Sequence, residues 1–433
     1  ALHVEDADTL TAVLDDLSPA DTAELIAKVT PDDREEIVKM YGPSLSAETF
    51  NEMDPELSRS ILEGMETSQI AALISELESD DALELIEPLD ETIQQEIIHK
   101  LSAKTRLAVE EGLSFPEDSA GRLMQREVVA VPQFWTVGKT IDYLRAAASD
   151  LPEDFFDLFV IDPGYHVCGQ IPLNRLIRCK RSEKIENLSP EAVIPIPADM
   201  DQEEVAHLFR RDNMISAPVV DADNRLLGVI TIDDIVDVID EEAQEDILKM
   251  AGVDQGDLYR AVWSTTGTRF RWLFVNLLTA ILASAVISFF DATIEQMVAL
   301  AVLMPIVASM GGNAGTQALT VAVRALATKE LSGTNTARII WKETLVGSLN
   351  GAAFALITGV TATLWFDNAT LGVVIALAMI INMVVAGLFG AAIPILIDRS
   401  GSDPAVASTV FLTTVTDVVG FFAFLGLAAI LLL

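Results

Sequence analysis

The sequence predicts a multidomain membrane protein: an all-α superhelical N-terminal domain, a duplicated α/β domain, a connecting helix and a five-helix α transmembrane domain. Three observations predict it. A twelve-residue apolar step runs through the first hundred residues, two copies of one α/β motif stand at a constant offset of 59, and five long runs almost free of charge fill the last third. Charge divides the chain in the same way. The 433 residues carry 65 acids and 28 bases for a net charge of −37, yet from Trp272 onward eight acids face five bases, so −34 belongs to the first 271 residues. So acidic a soluble part repels nucleic acid and anionic headgroups and attracts cations, divalent ones most. Cys168 and Cys179 make no disulfide framework, and the four histidines are too scattered to be a ligand set. No signal-peptide pattern precedes the acidic half, which is therefore expected in the cytosol.

The first domain, residues 1–127, rests on the repeat. Positions 17, 29, 41, 53, 65, 77, 89, 101 and 113 read Leu, Val, Tyr, Met, Met, Leu, Leu, Leu, Leu, and eight residues further on in each unit come Leu25, Ile37, Thr49, Ile61, Leu73, Leu85, Ile97 and Val109. Ser18, Thr30, Asp54, Asp90 and Ser102 follow step residues as helix caps. Twelve residues allow two helical turns and a bend, too little to bury an apolar side alone, so the units must stack.

The second domain, residues 128–247, contains "FVIDPGYHVCGQIPLNRLI" and "PVVDADNRLLGVITIDDIV", which superpose Asp162 on Asp221, Gly169 on Gly228 and Ile171 on Ile230. Each copy reads strand, turn, strand, helix, after an extended "VVAVP" or "VIPIP" and a helix. This resembles a tandem CBS pair. The resemblance implies an adenosine nucleotide such as ATP, its ribose held by the Asp of a Thr-x-x-Asp. The second copy has Thr231 and Asp234, but the first has Pro172 and Arg175.

In the membrane domain, residues 268–433, Trp272–Phe290, Gln296–Val323, Thr344–Phe366, Leu371–Ile397 and Pro404–Leu433 are 19, 28, 23, 27 and 30 residues long, with Asp417 the one charged residue among them. Each suffices for a span of about 20 residues. Arg260, Arg269 and Arg271 precede the first run, Arg324, Lys329, Arg338 and Lys342 follow the second, and Arg399 follows the fourth. The positive-inside rule then puts the N-terminal domains in the cytoplasm and the C-terminus outside.

Three features of the runs bear on function. "SMGGNAGTQ" is expected to break the second helix, because Gly311, Gly312 and Gly315 weaken it and Asn313 and Gln317 add polar groups at membrane depth. Freed carbonyls in such a break can coordinate a cation; the alternative is close packing through the Gly311–Gly315 GxxxG. Asp417 costs at least ~2.5 kcal/mol when ionised in a bilayer, so it should face a cavity, a partner or an ion. Asn350, Asn382, Thr413, Thr414 and Thr416 read as glue between helices.

Ahead of the membrane runs "TIDDIVDVIDEEAQEDI". On a helix Asp233, Asp237, Asp240 (or Glu241) and Glu245 form a stripe opposite Ile232, Ile235, Val236 and Ile239. Such like charges repel unless a cation intervenes, although a solvated face is the plainer reading. Asp80, Asp81 and Glu84, and Asp201 to Glu204, supply further acid-rich surfaces, and divalent ions could hold the three together.

The whole chain resembles the MgtE family of magnesium transporters. Pro305 followed by Gly311-Gly312-Asn313-x-Gly315-x-Gln317, then Asp403-Pro404-Ala405, then Asp417-x-x-Gly420 carry the resemblance. It implies a homodimer in the cell membrane with a pore on the two-fold axis, and a plug helix over residues 241–267. It assigns Asp417 to the pore metal, with Gly311, Gly312 and Asn313 as pore-lining candidates. It assigns Asp80, Glu84, Asp201, Glu203, Asp234, Asp237, Glu242, Glu245, Asp246 and Asp403 to cytosolic Mg²⁺ sensing, so that Mg²⁺ is both cargo and regulator. Glu84 stands where the pattern favours Asp, and Asn213 where an acid is usual. The function implied is Mg²⁺ uptake, without enzymatic chemistry. A proton- or Na⁺-coupled carrier using Asp417 is the alternative, and a nucleotide-sensing membrane receptor a third reading.

Overall fold

The structure is a computed structural model that describes residues 14, 16–148, 151–152, 155–188, 193–253, 256, 258–260, 262–331, 335–406 and 408–432. Residues 1–13 of the first domain, and residues 254, 255, 257 and 261 of the expected plug, lie outside these. The chain forms two compact units, one ending at Glu242 and one beginning at Ala243.

In the first unit the repeat sets where helices begin. Helices α1 (Pro19–Lys28), α2 (Pro31–Tyr41), α4 (Pro55–Leu62), α5 (Thr67–Ile74), α6 (Ser79–Ile86), α7 (Glu91–Lys100) and α8 (Ala103–Gly112) start in one twelve-residue register; a 3₁₀ turn at Gly42–Ser44 and α3 (Ala47–Asn51) fill the remaining place. Such short helices are marginal alone and persist by burying the repeat's apolar residues. Ile37, Ile61, Leu85, Ile97 and Val109 are all buried. Ser18, Thr30, Asp54 and Ser102 each accept a backbone N–H at the helix start. Asp90 sits at a cap position without making the bond, and one of its oxygens lies 3.4 Å from Arg59 instead. The carbonyls at helix ends are also met by side chains. Arg34 Nε donates to Ile26 O (3.0 Å), and Gln94 Nε2, at the same place in its repeat, donates to Glu87 O (2.9 Å).

After α9 (Ala120–Leu123) come β1 (Ala130–Pro132), α10 (Val137–Ala146), β2 (Asp157–Ile161), β3 (Val167–Pro172) and α11 (Leu173–Leu176), then β4 (Ile196–Pro197), α12 (Gln202–Asp212), β5 (Ser216–Val220), β6 (Leu226–Thr231) and α13 (Ile232–Ala251). The offset of 59 survives as geometry. Leu158 pairs with Ile171 and Ala217 with Ile230, and each sheet is parallel on one side and antiparallel on the other. Equivalent residues of the two copies meet across a pseudo-two-fold: Ser216 Oγ donates to the buried Asp157 carboxylate at 2.7 Å, and His166 forms a bridge with Arg225.

Helix α13 buries Ile235 and Val238, whereas Val236 and Ile239, expected on the covered face, are 57% and 40% exposed. The expected helix over 241–267 is not continuous. Helix α13 ends at Ala251, Gly252 and Gly256 take φ of +69° and +72°, and the next helix starts at Val262. Positive φ is open to glycine and ends helices for that reason.

Among the described residues the second unit contains five helices long and apolar enough to cross a membrane: α14 (Val262–Ser288), α16 (Ala299–Ala327), α17 (Thr336–Phe366), α18 (Ala369–Arg399) and α19 (Ser408–Leu431), with the short α15 (Asp291–Gln296) between the first two. Helix α18 is the most enclosed, 56% of its apolar window being buried against 6% for α14. Helices α17 and α18 approach backbone to backbone, so that a Cβ on Gly351 would come within 3.0 Å of Met383 Cβ and 3.3 Å of Ile380 Cα.

Candidate functional site

The membrane site is built on three helices. Helix α16 runs unbroken through "SMGGNAGTQ", contrary to the break expected there. Its glycines serve close packing instead: a Cβ on Gly311 would collide with the Asn382 amide of α18, and one on Gly315 would lie 2.9 Å from Leu412 Cδ1 of α19. A glycine costs a helix about 1 kcal/mol, which neighbours packed this tightly can offset.

The opposite face of α16 is polar. Asn313, Thr316, Gln317 and Thr320 are exposed along one stripe, and nothing stands within 4 Å of a Cβ on Gly312. Asn313 reaches only Ser309 of its own helix (3.4 Å), and Thr316 and Thr320 bond carbonyls one turn back, each at 2.9 Å. Thr316 and Thr320 escaped the sequence reading, although their spacing from Asn313 was the signal. On α19, Asp417 is half-buried and has no hydrogen-bond or ion-pair partner among the described residues. Thr413, Thr414 and Thr416 do not glue helices; they bond carbonyls of their own helix at 2.7–3.1 Å. Asn350 is exposed. Asn382 alone of that group bonds between helices, donating from Nδ2 to Val307 O at 2.8 Å.

Of the acids expected in the soluble part, Asp80, Glu84, Asp234 and Asp237 are brought together, where α6 lies beside α13. Asp81, Asp233 and Glu241 join them, and the mutual influence of these groups shows in their protonation. Burial, then repulsion from Glu241, Asp81 and Asp237, pushes Glu84 from 4.5 up to about 8, although the residue keeps an exposed surface. Burial pushes Asp234 up from 3.8 to about 7 even though Thr231 donates to it through Oγ1 (2.9 Å) and N (3.3 Å). Burial and then the Asp234 charge raise Asp80 well above its ordinary value, and its Oδ1 has no hydrogen-bond partner among the described residues. Asp81 and Glu241 were already visible in the sequence as members of acid-rich helix surfaces, each one turn from an acid assigned to sensing.

The other expected acids form two further groups. Asp201 caps α12 through Glu203 N (2.9 Å), and Gln202 Nε2 donates to Glu242 at 2.9 Å. In the second unit Glu245 and Asp403 are bridged by a cation of the chain itself. Lys249 Nζ pairs with Glu245 and lies 2.8 Å from Asp403 Oδ2. Asp246 follows Glu245 on the same helix. Among the described residues no three His, Cys, Asp or Glu side chains are placed to hold one metal ion. The seam is thus a surface of crowded charge, a form suited to a cation that keeps its water shell.

Among the described residues, five helices of spanning length and a carboxylate without a partner, joined to an acidic part of stacked helices and paired sheets, have the make-up of a membrane transporter of cations. Residues 17–118 match the MgtE intracellular N domain, 186–241 the CBS domain, and 304–427 the MgtE family described as a divalent cation transporter. The magnesium transporter MgtE of Bacillus subtilis is 32% identical over 332 residues, 76% of this chain and 73% of its own. That of Thermus thermophilus is 35% identical over 338 residues, 77% of this chain and 74% of its own. The cytosolic domain of the Mg²⁺ channel MgtE in complex with ATP superposes with a TM-score of 0.51 at 29% identity, covering 55% of this chain and 96% of that one. The chain belongs to the MgtE family.

Proposed function

We propose that the protein is a homodimeric Mg²⁺ channel for uptake across the cell membrane, closed by Mg²⁺ on its cytosolic acids. The observation that carries this reading is Asp417, a carboxylate on a spanning helix with no partner among the described residues. A lone charge at that depth is retained for an ion pathway. The exposed polar stripe Asn313–Thr316–Gln317–Thr320 supports a pore between two copies, since a second subunit would take it away from lipid. Asp417 from each subunit would then hold Mg²⁺ largely through its water shell, because Mg²⁺ dehydrates reluctantly. An inside-negative potential contributes ~4.6 kcal/mol per 100 mV to a divalent ion, twice the single-charge value.

In this reading residues 1–127 and 128–247 form the sensor, 241–267 the connection and 268–433 the pore, with the N-terminal domains cytoplasmic and the C-terminus outside. When cytosolic Mg²⁺ is abundant it neutralises the seam of Asp80, Asp81, Glu84, Asp233, Asp234, Asp237 and Glu241. When it falls, like charges separate the helices and the pore opens. ATP, bound by the similar cytosolic domain, would meet an Asp234 whose carboxylate already accepts from Thr231; the gating proposed uses Mg²⁺ alone. The test is growth of cells that lack their own Mg²⁺ uptake. The wild-type chain should restore growth at low Mg²⁺ and Asp417→Asn should not, at equal membrane abundance; rescue by the variant refutes the reading. Resolvable single-channel currents distinguish the channel from a coupled carrier.

A further inference from the structure

Asn382 is the most completely buried polar side chain that links one spanning helix to another among the described residues, at 0% exposure. It lies mid-way along α18 and donates from Nδ2 to Val307 O of α16 at 2.8 Å. Val307 already stands in a helix, so its carbonyl is not an orphan that needed this donor. The two faces of the amide meet glycine on both sides. Gly311 of α16 is so close that any Cβ there would overlap the amide, and a Cβ on Gly420 of α19 would lie 2.7 Å from Nδ2 and 3.2 Å from Oδ1. Gly420 is one turn beyond Asp417 on the same helix.

Neither helix can therefore move toward the amide, and only side chains absent from both positions let it fit. The amide is a spacer of fixed size and a tether of fixed direction. Its Oδ1 is buried without a hydrogen-bond partner among the described residues, a costly arrangement at a site surrounded by apolar side chains and helix backbone. An apolar residue of the same size would avoid that cost. Retaining an amide there makes sense if the direction it imposes is used.

We infer that Asn382 is a positioning residue for Mg²⁺ passage: by tethering α16 and seating against Gly420, it fixes the height and rotation of the turn of α19 that presents Asp417. The inference rests on the reading of Asp417 as the pore carboxylate. A hydrated cation held by hydrogen bonds to its shell is sensitive to where the carboxylate stands, as any preorganised site is. Displacement of Asp417 therefore weakens discrimination as well as flux, whereas a packing defect elsewhere in the bundle would lower the amount of folded protein without changing which ion passes.

The experiment uses the full-length protein in sealed liposomes. Asn382→Leu keeps the branched four-heavy-atom outline of the side chain, with methyl groups bulkier than the amide, and removes the tether. The expected result is a protein that still assembles in detergent, a fall of about tenfold in Mg²⁺ flux, equivalent to ~1.4 kcal/mol, and a reduced preference for Mg²⁺ over K⁺ when the two compete. Asn350→Leu, at an exposed position on α17, should change neither flux nor preference. If Asn382→Leu does not assemble, Gly420→Ala applies the same displacement from the other side and should give the same loss of preference. Unchanged flux and ion preference in whichever variant folds overturns the inference, as does a loss of flux with the preference intact. Asp417→Asn is measured alongside: if it leaves Mg²⁺ flux unchanged the pore reading itself has failed, and if it abolishes flux while Asn382→Leu has no effect only the positioning role is lost.

Discussion

The acidic seam gives a prediction with a worked sign. Asp234 is raised from 3.8 to about 7 and Glu84 from 4.5 to about 8, so the closed seam binds protons that separated helices would release. Its stability is greatest below the ordinary carboxylate range and declines as pH rises toward 7 for Asp234 and 8 for Glu84. For Asp234, which is mostly covered, the rise corresponds to a penalty on the order of 4 kcal/mol against the charged form; Glu84 is too exposed for a comparable figure. Asp234→Asn removes that charge while its amide oxygen can still accept from Thr231. Hydrogen exchange of Ser79–Ile86 in the full-length protein, corrected for the intrinsic effect of pH, reads the seam directly. In EDTA the wild type should lose protection between about pH 4 and about pH 8, Asp234→Asn should lose clearly less, and millimolar Mg²⁺ should restore the wild type at the alkaline end. Wild-type protection that is indifferent to pH in EDTA would refute the reasoning, and so would an equal loss in the variant.

Other consequences are more local. Lys249→Met leaves Glu245 and Asp403 facing each other without their bridge; the variant should lose ~1 kcal/mol and, unlike the wild type, regain it on addition of millimolar Mg²⁺, as followed by thermal unfolding in detergent. Gly228→Ala places a Cβ 2.5 Å from Gln125 O, a backbone atom that cannot step aside, and should destabilise the second sheet by ~1–3 kcal/mol; an unchanged midpoint for the soluble part contradicts this. Asp54→Ala, which removes a cap accepting from Glu56 N and Leu57 N, should cost ~1 kcal/mol, while Asp90→Ala should fall within ~0.5 kcal/mol of wild type because no cap bond is lost.

Much of the architecture was legible because it is periodic. The twelve-residue step fixed where helices such as Pro31–Tyr41 and Glu91–Lys100 begin, and the offset of 59 carried over residue by residue into the strand registers. What was misread depended on partners distant in sequence. Gly311 and Gly315 look alike whether they break a helix or let another approach; Asn382 and Leu412 opposite them decide for approach. The bridge from Lys249 to Asp403 joins residues that no local pattern connects. The interrupted plug was closer to hand, since Gly252 and Gly256 are the residues that take positive φ. In the acidic seam the stripe on α13, with Glu241 as an alternative member, and the surface of Asp80, Asp81 and Glu84 were both visible, but that these two surfaces meet depended on α6 lying beside α13.

The central claim is that a single negative side chain in the last helix draws Mg²⁺ through the membrane. Mg²⁺ entry into sealed vesicles carrying the purified protein, followed by an internal fluorescent indicator under an inside-negative potential, tests it most directly. The account predicts rapid entry with the wild type and none above protein-free vesicles with Asp417→Asn, at matched thermal stability. Entry at the wild-type rate through the variant would contradict it.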